Sequence, residues 1–510
     1  MNLNAYLELA RRCVCLTVAP ACVPAVLSLF QHASADLERA YYWKKGSGLL
    51  LLQSRSSKSL RRALQSIPFY PRAFLPIIGN NGKVDRFSLP PYRVCSDPSI
   101  WPVSSDSKGG ICDSIVRIQT EAPSSSALDK VLLKQDSVLG QMQALVDCTA
   151  LTHPHRLAWF TFADSLLEIL NTVRPGSSVY PFGSAINGLG LISSDLDIIV
   201  DLGLDVPSRL QSFSKLYPRS VVNFHLNSST HGLAIMQELL GYTGQLHYHT
   251  LTPIRLLLNR LDPLSAPCSR VLPGRTPIIN YTRHRCLGVG IDIARSSGDL
   301  NSTRLVLHAA YWMRGLITQV PVFLFLANTL KYLMRGAHLT HSGPSFSFTN
   351  YKLTALLISF LQVAVRQAPG VEYLLLEDDE SVAERLLIPL EEHPVCPPYA
   401  PELMREFFVF LRNLRPENVT LCLRSGRILL QEDDAARDRP FLHCPNPLLP
   451  EWNITHGISA ESWQELMGIV EHMERVLAAS QSRREPWGLP AMTKVTISPT
   501  LTVIPTESHK

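Results

Sequence analysis

The alternation of hydrophobic and polar positions near the N-terminus predicts a small α/β module. Short apolar runs typical of strands alternate with stretches whose apolar residues recur every three or four positions, as they do on one face of a helix. The predicted order is strand, helix, strand, strand, helix, over residues 13–18, 23–31, 37–43, 48–53 and 57–66. We therefore expect a βαββα module within residues 1–95.

The remaining pattern is mostly helical. Residues 96–127 are rich in Ser, Asp, Gly and Pro and are predicted to be a linker. Residues 128–170 show helical periodicity over 131–144 and 157–170, and we expect these helices to join the central part of the chain. Further helical repeats cover 302–317, 322–337, 350–365 and 404–414. They predict a helical domain over 301–490, followed by a tail at 491–510.

One segment between these regions has a different pattern, in which a turn leads into a strand that begins with two acidic residues. Gly183 and Ser184 are followed after a dozen residues by Asp195 and Asp197, and then by the apolar run 198–200. Residues two apart on a strand point to the same face, so the two carboxylates are expected to lie side by side. A Gly-Ser turn offers backbone N–H groups and a hydroxyl for binding phosphate.

A third carboxylate is predicted on a later strand. Residues 276–283 and 287–294 read as two antiparallel strands, and Asp292 lies between Ile291 and Ile293 in the second. A carboxylate in an apolar strand is costly to bury unless it has a partner. A metal ion is a suitable partner for Asp195, Asp197 and Asp292 together, and carboxylate oxygens suit Mg²⁺, or Mn²⁺ in its place. An isolated Asp-x-Asp is more often a solvated turn, but here the Gly-Ser and the apolar strand favour a metal–nucleotide site.

Composition restricts the alternatives. With 510 residues, 46 % of them hydrophobic and 18 % charged, the chain is globular and long enough for several domains. The net charge of +5 permits nucleic-acid binding without requiring it. The 11 cysteines include no Cys-x-x-Cys pair, which argues against a zinc site or a disulfide framework and suits a reducing compartment. Residues 13–30 and 316–334 are apolar but interrupted by proline or polar residues, so we expect no membrane insertion.

The Gly-Ser, Asp-x-Asp and later Asp resemble the signature of the polymerase-β-like nucleotidyltransferases. With the helical second half, the chain resembles the non-standard poly(A) polymerases and terminal uridylyltransferases. The order of its parts is most similar to that of the mitochondrial poly(A) polymerases, including the helix start at 349–354 and the closing Pro-Trp-Gly-Leu at 486–489. This resemblance implies an α+β fold. A mixed-sheet nucleotidyltransferase core would cover 171–300 with an insertion at 203–275. A helical poly(A)-polymerase-associated domain would cover 301–490, and an RNA-recognition-like module would precede both.

The same resemblance assigns further residues. Ser302 and Thr303 match the polar pair that contacts ribose and triphosphate, although a Ser-Thr pair also caps helices. Lys331 and Arg335, four apart on one helical face, match the basic pair over the β- and γ-phosphates; the alternative is a solvated basic stripe. Tyr351 matches the aromatic residue that stacks on the incoming base, and its alternative is a core aromatic.

The implied activity is template-independent transfer of AMP from ATP to RNA 3′ ends by a two-metal mechanism. Mitochondrial RNA is the expected substrate by resemblance, with a cytoplasmic location as the alternative. A terminal uridylyltransferase of the same fold and a catalytically silent RNA-binding relative are the rival functions. In the N-terminal module, Ser47, Leu49 and Leu52 occupy positions where an RNA reader would place stacking aromatics. We therefore expect an exposed aliphatic sheet face there that favours a homodimer.

Overall fold

The computed structural model forms two compact units. It describes residues 3–43, 48–78, 84–103, 115–118, 123–202, 247–273, 277–296, 300–340, 348–366, 394–430, 440–480 and 487–494. The first unit is built from the described residues of 1–122 and 149–315. The second is built from those of 123–148, 316–376 and 393–510, so the chain leaves and re-enters the second unit.

The N-terminal part of the first unit contains all five predicted helices and strands. It also contains one further helix and four further strands that were not predicted. Its helices are α1 (Leu3–Ala10), α2 (Val23–His32) and α3 (Ser57–Ser66). Its strands are β1 (Cys13–Thr17), β2 (Leu37–Trp43), β3 (Leu49–Ser54), β4 (Phe74–Ile78), β5 (Val84–Ser88), β6 (Val94–Cys95) and β7 (Ile115–Ile118). Strands β4 and β5 form a separate hairpin, and the others form one sheet in the order β6-β1-β3-β2-β7.

The predicted linker at 96–127 is partly wrong, because β7 lies within it. This strand pairs in parallel with β2 and closes one edge of the sheet. Local composition favoured a linker, since Ser, Asp and Gly surround the short Ile-Val-Arg-Ile run. Pairing with a strand more than seventy residues earlier is a long-range contact that local patterning does not reveal.

Both faces of the N-terminal sheet are buried, which corrects the expectation of an exposed aliphatic face. On one face, Leu50 and Leu52 pack with residues of α2 and α3 in a hydrophobic core. Leu49 and Leu51 point to the other face, because side chains alternate along a strand. Leu49 and Leu52 therefore do not share a face, and Leu52 is fully buried.

The second face is covered by α6 (His153–Val173), a 21-residue helix of the same unit. Cys15 Sγ lies 4.0 Å from the carbonyl oxygen of Ala158, and Trp43 Nε1 donates to His155 at 3.1 Å. The face that an RNA-recognition module uses to stack bases is thus an intramolecular interface. The surface on which self-association was predicted is not exposed, and the homodimer stays a prediction without that support.

A buried arginine fastens α6 to the N-terminal sheet. Arg93 is 1 % exposed, and its guanidinium donates to Asp164 of α6 and to the carbonyl oxygens of Ala10 and Cys13. Its backbone N–H donates to Ser165 Oγ at 2.9 Å. A guanidinium carries five donors in a fixed plane, which lets one side chain connect several elements.

The second part of the first unit is a mixed sheet in the order β10-β11-β12-β9-β8. Its strands are β8 (Ser178–Phe182), β9 (Leu196–Asp201), β10 (Ser269–Leu272), β11 (Ile278–Tyr281) and β12 (Ile291–Arg295). Its helices are α7 (Ser184–Asn187), α8 (His247–Leu261) and α9 (Leu300–Gln319), the last of which ends in the second unit. Among the described strands of this sheet, β9 and β12 pair in parallel and the other neighbours are antiparallel.

The predicted insertion at 203–275 is not wholly an insertion. Its last third supplies α8 and the strand β10, which pairs with β11 as part of the sheet itself. The helix predicted over 232–240 lies outside the described residues. The two antiparallel strands predicted around Asp292 are present, although each is shorter than predicted.

The second unit is mainly helical. It contains α4 (Ser125–Leu133), α5 (Val138–Thr149), α10 (Val322–Gly336), α11 (Asn350–Val363), α12 (Ala400–Asn413), α13 (Ala460–Ser480), α14 (Gly488–Met492) and a hairpin of β13 (Val419–Cys422) and β14 (Arg427–Leu430). The helix predicted over 131–144 is two helices that break at 134–137. Residues Ala491 and Met492 are buried, so the predicted tail begins later than expected.

Two expectations from composition can be compared with the described residues. Ten of the cysteines lie there, and all ten are free. No single described helix is long and apolar enough to cross a membrane; one bent pair of helices, His308–Gln319 with Val322–Gly336, meets that test by length and composition only when taken together.

Replacing Asp164 with alanine should strongly destabilise the first unit. The change leaves the buried guanidinium of Arg93 without its closest carboxylate, and loss of one partner of a buried pair costs about 3 kcal/mol or more. Urea unfolding followed by fluorescence measures the loss. The control is Glu8→Gln, which removes the exposed pair with Arg11 and should change stability by less than about 0.5 kcal/mol. Equal effects of the two changes would contradict the assigned role of Arg93.

Candidate active site

Strand pairing brings the three predicted aspartates together. In the parallel pair of β9 and β12, Asp197 is directly opposite Asp292. Asp195 precedes Asp197 by two residues and therefore points to the same face of the sheet. Asp195 is exposed, while Asp197 and Asp292 are half-buried. The side chains predicted from sequence as a triad thus lie together where two adjacent interior strands of one sheet begin.

Gly183 places the Gly-Ser turn directly against this group. Its φ is +58°, a conformation that favours glycine, and a Cβ built there would lie 2.7 Å from Asp197 Oδ2. A side chain at 183 would therefore strain the backbone and displace the carboxylate. The next residue, Ser184, directs its hydroxyl to the carbonyl oxygen of Asp195 at 3.4 Å. The predicted neighbours Gly183 and Ser184 are adjacent to the aspartates.

Burial and the charges of neighbouring carboxylates raise the pKa values of Asp195 and Asp197. Burial and then the charges of Asp292 and Asp195 raise the pKa of Asp197 to about 7. Burial and Asp292 also raise the pKa of Asp195, against a hydrogen bond from the backbone of Gly290. None of these causes is a cation. The group is thus a cluster of negative charge that the described residues do not neutralise with an ion pair.

Asn280 is a site residue that the sequence reasoning missed. It lies opposite Asp292 in the antiparallel pair of β11 and β12, and its Nδ2 donates to Asp292 Oδ1 at 2.7 Å. Asp292 therefore has a polar partner, contrary to the expectation of a carboxylate without one. A signal was present, because Asn280 is the polar position in an apolar strand that had been paired with the strand of Asp292.

Arg314 is a second residue missed from sequence. It projects from α9, is 4 % exposed, and its Nη1 donates to the carbonyl oxygen of Ile186 in α7 at 2.7 Å. A cation at the carboxyl end of a helix is favourable because the free carbonyls there carry partial negative charge. This contact fixes the segment that follows Gly183 and Ser184. The sequence of α9 gave no indication of this contact, because its partner Ile186 is 128 residues earlier in the chain.

The donor set fits a divalent cation such as Mg²⁺. Among the described residues, no three His, Cys, Asp or Glu side chains already stand in the arrangement of a metal site. Mg²⁺ does not require such a cage, since it commonly binds through one or two carboxylates and completes its shell with substrate phosphates and water. Three mutually repelling carboxylates with only oxygen donors would gain from such an ion.

The remaining predicted residues lie in other elements. Ser302 and Thr303 are in the first turn of α9, and their side chains are outside the described set. Lys331 and Arg335 lie on α10 of the second unit, four apart as predicted. Lys331 is partly buried and burial lowers its pKa to about 8, so the alternative of a fully solvated stripe fails for that residue. Arg335 is exposed.

Tyr351 is on the surface of the second unit. It follows Asn350 at the start of α11, where Thr349 Oγ1 caps the helix by accepting from the backbone N–H of Lys352 at 3.3 Å. The Tyr351 side chain is 44 % exposed. This exposure favours a surface position over the alternative of a core aromatic.

The fold and the arrangement of the three aspartates are similar to those expected of a polymerase-β-like nucleotidyltransferase. Residues 139–296 match the family described as the central palm domain of poly(A) RNA polymerase, mitochondrial-like. This match covers about a third of the chain and agrees with the resemblance that its motifs predicted.

Relatives of known name agree with that class. The mitochondrial poly(A) RNA polymerase of Mus musculus is 25 % identical over 72 % of this chain and 62 % of its own length. That of Homo sapiens is 22 % identical over 73 % of this chain and 63 % of its own length. The matched region thus spans less than two thirds of these relatives. The crystal structure of mtPAP in its apo form has the same fold, with a TM-score of 0.70, 18 % identity, and coverage of 96 % of this chain and 98 % of that one.

The raised pKa of Asp197 predicts a pH-dependent stability that a divalent cation removes. A carboxyl group with a folded-state pKa near 7 and an ordinary unfolded-state pKa near 4 binds more protons when folded, so stability falls as pH rises through that interval. Thermal melting in chelator should show this fall between about pH 4 and pH 7, and Asp197→Asn should flatten it. Saturating Mg²⁺ should also flatten it. Asp201→Asn, at the far end of β9, is the control and should keep the wild-type dependence of melting temperature on pH. The assignment would be wrong if Asp201→Asn removed this dependence and Asp197→Asn did not.

Proposed function

We propose that this chain transfers AMP from ATP to the 3′-hydroxyl of RNA without a template and releases pyrophosphate. The observation that carries the proposal is the register of β9 and β12, which sets Asp197 opposite Asp292 with Asp195 beside them. The turn at Gly183 lies directly on Asp197, where the triphosphate of a nucleotide would approach the carboxylates.

In this proposal the carboxylates hold Mg²⁺ or Mn²⁺, with Asp195 and Asp197 binding two ions and Asp292 only the one nearer the primer. Bound there, such ions would lower the pKa of the primer hydroxyl and neutralise charge on the leaving pyrophosphate. The 3′-hydroxyl oxygen of the RNA attacks the α-phosphorus of ATP, and the bond from that phosphorus to the pyrophosphate oxygen breaks. Asp292 accepts the proton that the hydroxyl loses. The amide of Asn280 keeps the Asp292 carboxylate in place through its 2.7 Å hydrogen bond.

The nucleotide would be held by groups from several helices. Lys331 and Arg335 bind the β- and γ-phosphates, since each carries a cation on one face of α10. Tyr351 stacks on the base through its exposed ring. Ser302 and Thr303, at the start of α9, contact the ribose and triphosphate. These roles rest on the resemblance of the motifs and on the exposure of Tyr351.

Incubation of the purified chain with oligo(A), Mg²⁺ and each nucleoside triphosphate in turn tests the activity. Extension with ATP supports adenylyl transfer, and extension with UTP alone supports the rival uridylyltransferase. Crystal structures of mtPAP hold UTP, ATPγS, GTP and CTP, so binding by that fold does not rank the bases. If no nucleotide extends the primer, the remaining hypothesis is a catalytically silent RNA-binding protein.

We also propose that the substrate is mitochondrial RNA, because the relatives reported above are named mitochondrial poly(A) RNA polymerases. Imaging of the tagged full chain against a mitochondrial marker tests the location, and a cytoplasmic signal would reject it. The proposed homodimer is tested by sedimentation equilibrium of the full chain.

Asp195→Ala and Asp197→Ala should each abolish nucleotide addition without unfolding the protein. Each change removes an oxygen ligand from the proposed metal site, and loss of a metal that activates the nucleophile lowers turnover by orders of magnitude. Single-turnover primer extension measures the rate, with Asp147→Ala on the exposed face of α5 as the control. A tenth or more of the normal rate in either variant would refute the metal assignment.

Tyr351→Ala should raise the Michaelis constant for ATP about ten- to a hundredfold, because base stacking on an aromatic ring contributes about 1–3 kcal/mol. Tyr351→Phe keeps the ring and should behave like the wild type. Lys331→Ala should weaken all four nucleotides alike, because an ammonium group would contact phosphate and not base. Steady-state kinetics with each nucleotide separates the two roles. Unchanged kinetics together with a lower melting temperature for Tyr351→Ala would make that residue structural.

A further inference from the structure

The outer face of α3 is strongly basic. Residues 55–72 contain Arg55, Lys58, Arg61, Arg62 and Arg72 and no Asp or Glu. Leu60, Ala63 and Leu64 of this helix are buried in the core beneath it. Lys58, Arg61 and Arg62 share the opposite face at spacings of three and four residues, and all three are exposed. We call these three residues the basic α3 surface.

The intramolecular partners of this segment do not neutralise it. Arg61 is 2.9 Å from Glu168, and Arg55 is 4.0 Å from Asp36 in a pair that is more than half exposed on both sides. Lys58 and Arg62 form no ion pair with any carboxylate among the described residues. Two cations on neighbouring positions of one helical face are thus available to an external anion.

The arrangement is unfavourable for the helix itself. Lys58 is in the first turn of α3, which contains no acidic residue, although the N-terminal end of a helix favours negative charge. Like charges three and four residues apart on a helix are also destabilising. A bound polyanion would relieve both costs.

An exposed aromatic ring lies in the turn after this helix. Phe69 is 51 % exposed. The chain around it stays close to the end of α3, since Arg72 Nη2 donates to the carbonyl oxygen of Gln65 at 2.8 Å. An exposed ring just after the end of a helix that carries exposed cations is a combination that single-stranded nucleic acid can bind, through stacked bases and phosphates. A membrane surface or an acidic protein would explain the charges without requiring an exposed ring at the end of the helix.

We infer that the basic α3 surface and Phe69 form a second RNA-binding site, in which the cations contact phosphates and the ring stacks on a base. The proposal rests on the proposed function for the choice of RNA, but its binding test does not require catalysis. The face on which such a module stacks RNA is buried under α6 through contacts such as that of Trp43 with His155. RNA binding has thus moved to the helical side of the module.

This site is separate from the aspartates. Helix α6 packs against both β1 of the N-terminal sheet and β8 of the catalytic sheet. The buried face of α3 packs on the side of the N-terminal sheet opposite α6, and Arg61 at its edge reaches Glu168 of α6 at 2.9 Å. Lys58 and Arg62 belong to the N-terminal module and not to the sheet of the aspartates, so we expect a primer to reach them only through nucleotides upstream of its 3′ end.

Fluorescence anisotropy with the full chain and labelled oligo(A) over a range of salt concentrations tests the proposal. Lys58→Glu with Arg62→Glu should weaken binding about tenfold and lower the slope of log K against log salt by about 1.4, the loss of two phosphate contacts. Phe69→Ala should weaken binding about tenfold and leave the slope unchanged, since stacking releases no counterions. The matched control is Lys130→Glu with Lys134→Glu, an exposed pair with the same spacing at the C-terminal end of α4, where Lys134 is the residue after the last turn.

Several outcomes would overturn the site. One is an unchanged RNA affinity and salt dependence in the variant with both Lys58 and Arg62 replaced. Another is an equal loss of RNA affinity in the control variant of Lys130 and Lys134. The third is a variant that loses binding to anionic vesicles but keeps binding to RNA. Lys58→Ala with Arg62→Ala repeats the test if the charge reversal unfolds the protein, as judged by circular dichroism. In primer extension, the variants should raise the Michaelis constant of a long primer and leave that of a dinucleotide unchanged. If no nucleotide is added by any form, the proposed function fails while the binding result still decides this site.

Discussion

Repulsion between carboxylates is the constraint on which the site depends. The parallel register of β9 and β12 forces Asp197 and Asp292 to face each other, and burial makes the charge costly enough to bring the pKa of Asp197 to about 7. A protein that needed only stability would place an apolar pair there, because unpaired buried charge is unfavourable. The surrounding residues keep the carboxylates in place without neutralising them: Gly183 leaves room for Asp197, and Asn280 binds Asp292 as a neutral donor.

Helix α6 explains why the two sheets of the first unit form one body. It is buried on several sides, with apolar or aromatic residues such as Trp159, Phe160 and Phe162 almost inaccessible to solvent. A helix that is apolar all round must be surrounded by protein. Arg93 supplies the polar part of this interface by joining Asp164 to the carbonyl groups of the N-terminal segment. The N-terminal module is thereby an integral part of the unit that carries the three aspartates.

The local pattern of hydrophobic and polar residues predicted the features that depend on neighbouring residues in the sequence. The limits of β2 and α3 agree with the periodicity of their residues, and the aspartates follow from the two-residue repeat of a strand. What failed depended on contacts distant in sequence. The cover over Leu51 comes from a helix about a hundred residues later, β7 pairs with a distant strand, and Asn280 gains its role only from its register with Asp292. Sequence reasoning treated Leu49 and Leu52 as one face although they are an odd number of residues apart.

The parallel pairing of β9 with β12 also determines when the candidate site can form during synthesis. Parallel strands need a long connection, and here β12 follows β9 by nearly a hundred residues. At translation rates of about 5–20 residues per second, β9 waits roughly 5–20 s for its neighbour. Throughout that time its apolar run at 198–200 borders an open sheet edge, and such an edge can pair with other chains. Helices α4 and α5 wait longer, since most of their own unit is made after residue 315. The order of synthesis therefore makes the nascent chain a client for chaperones until its last third has emerged.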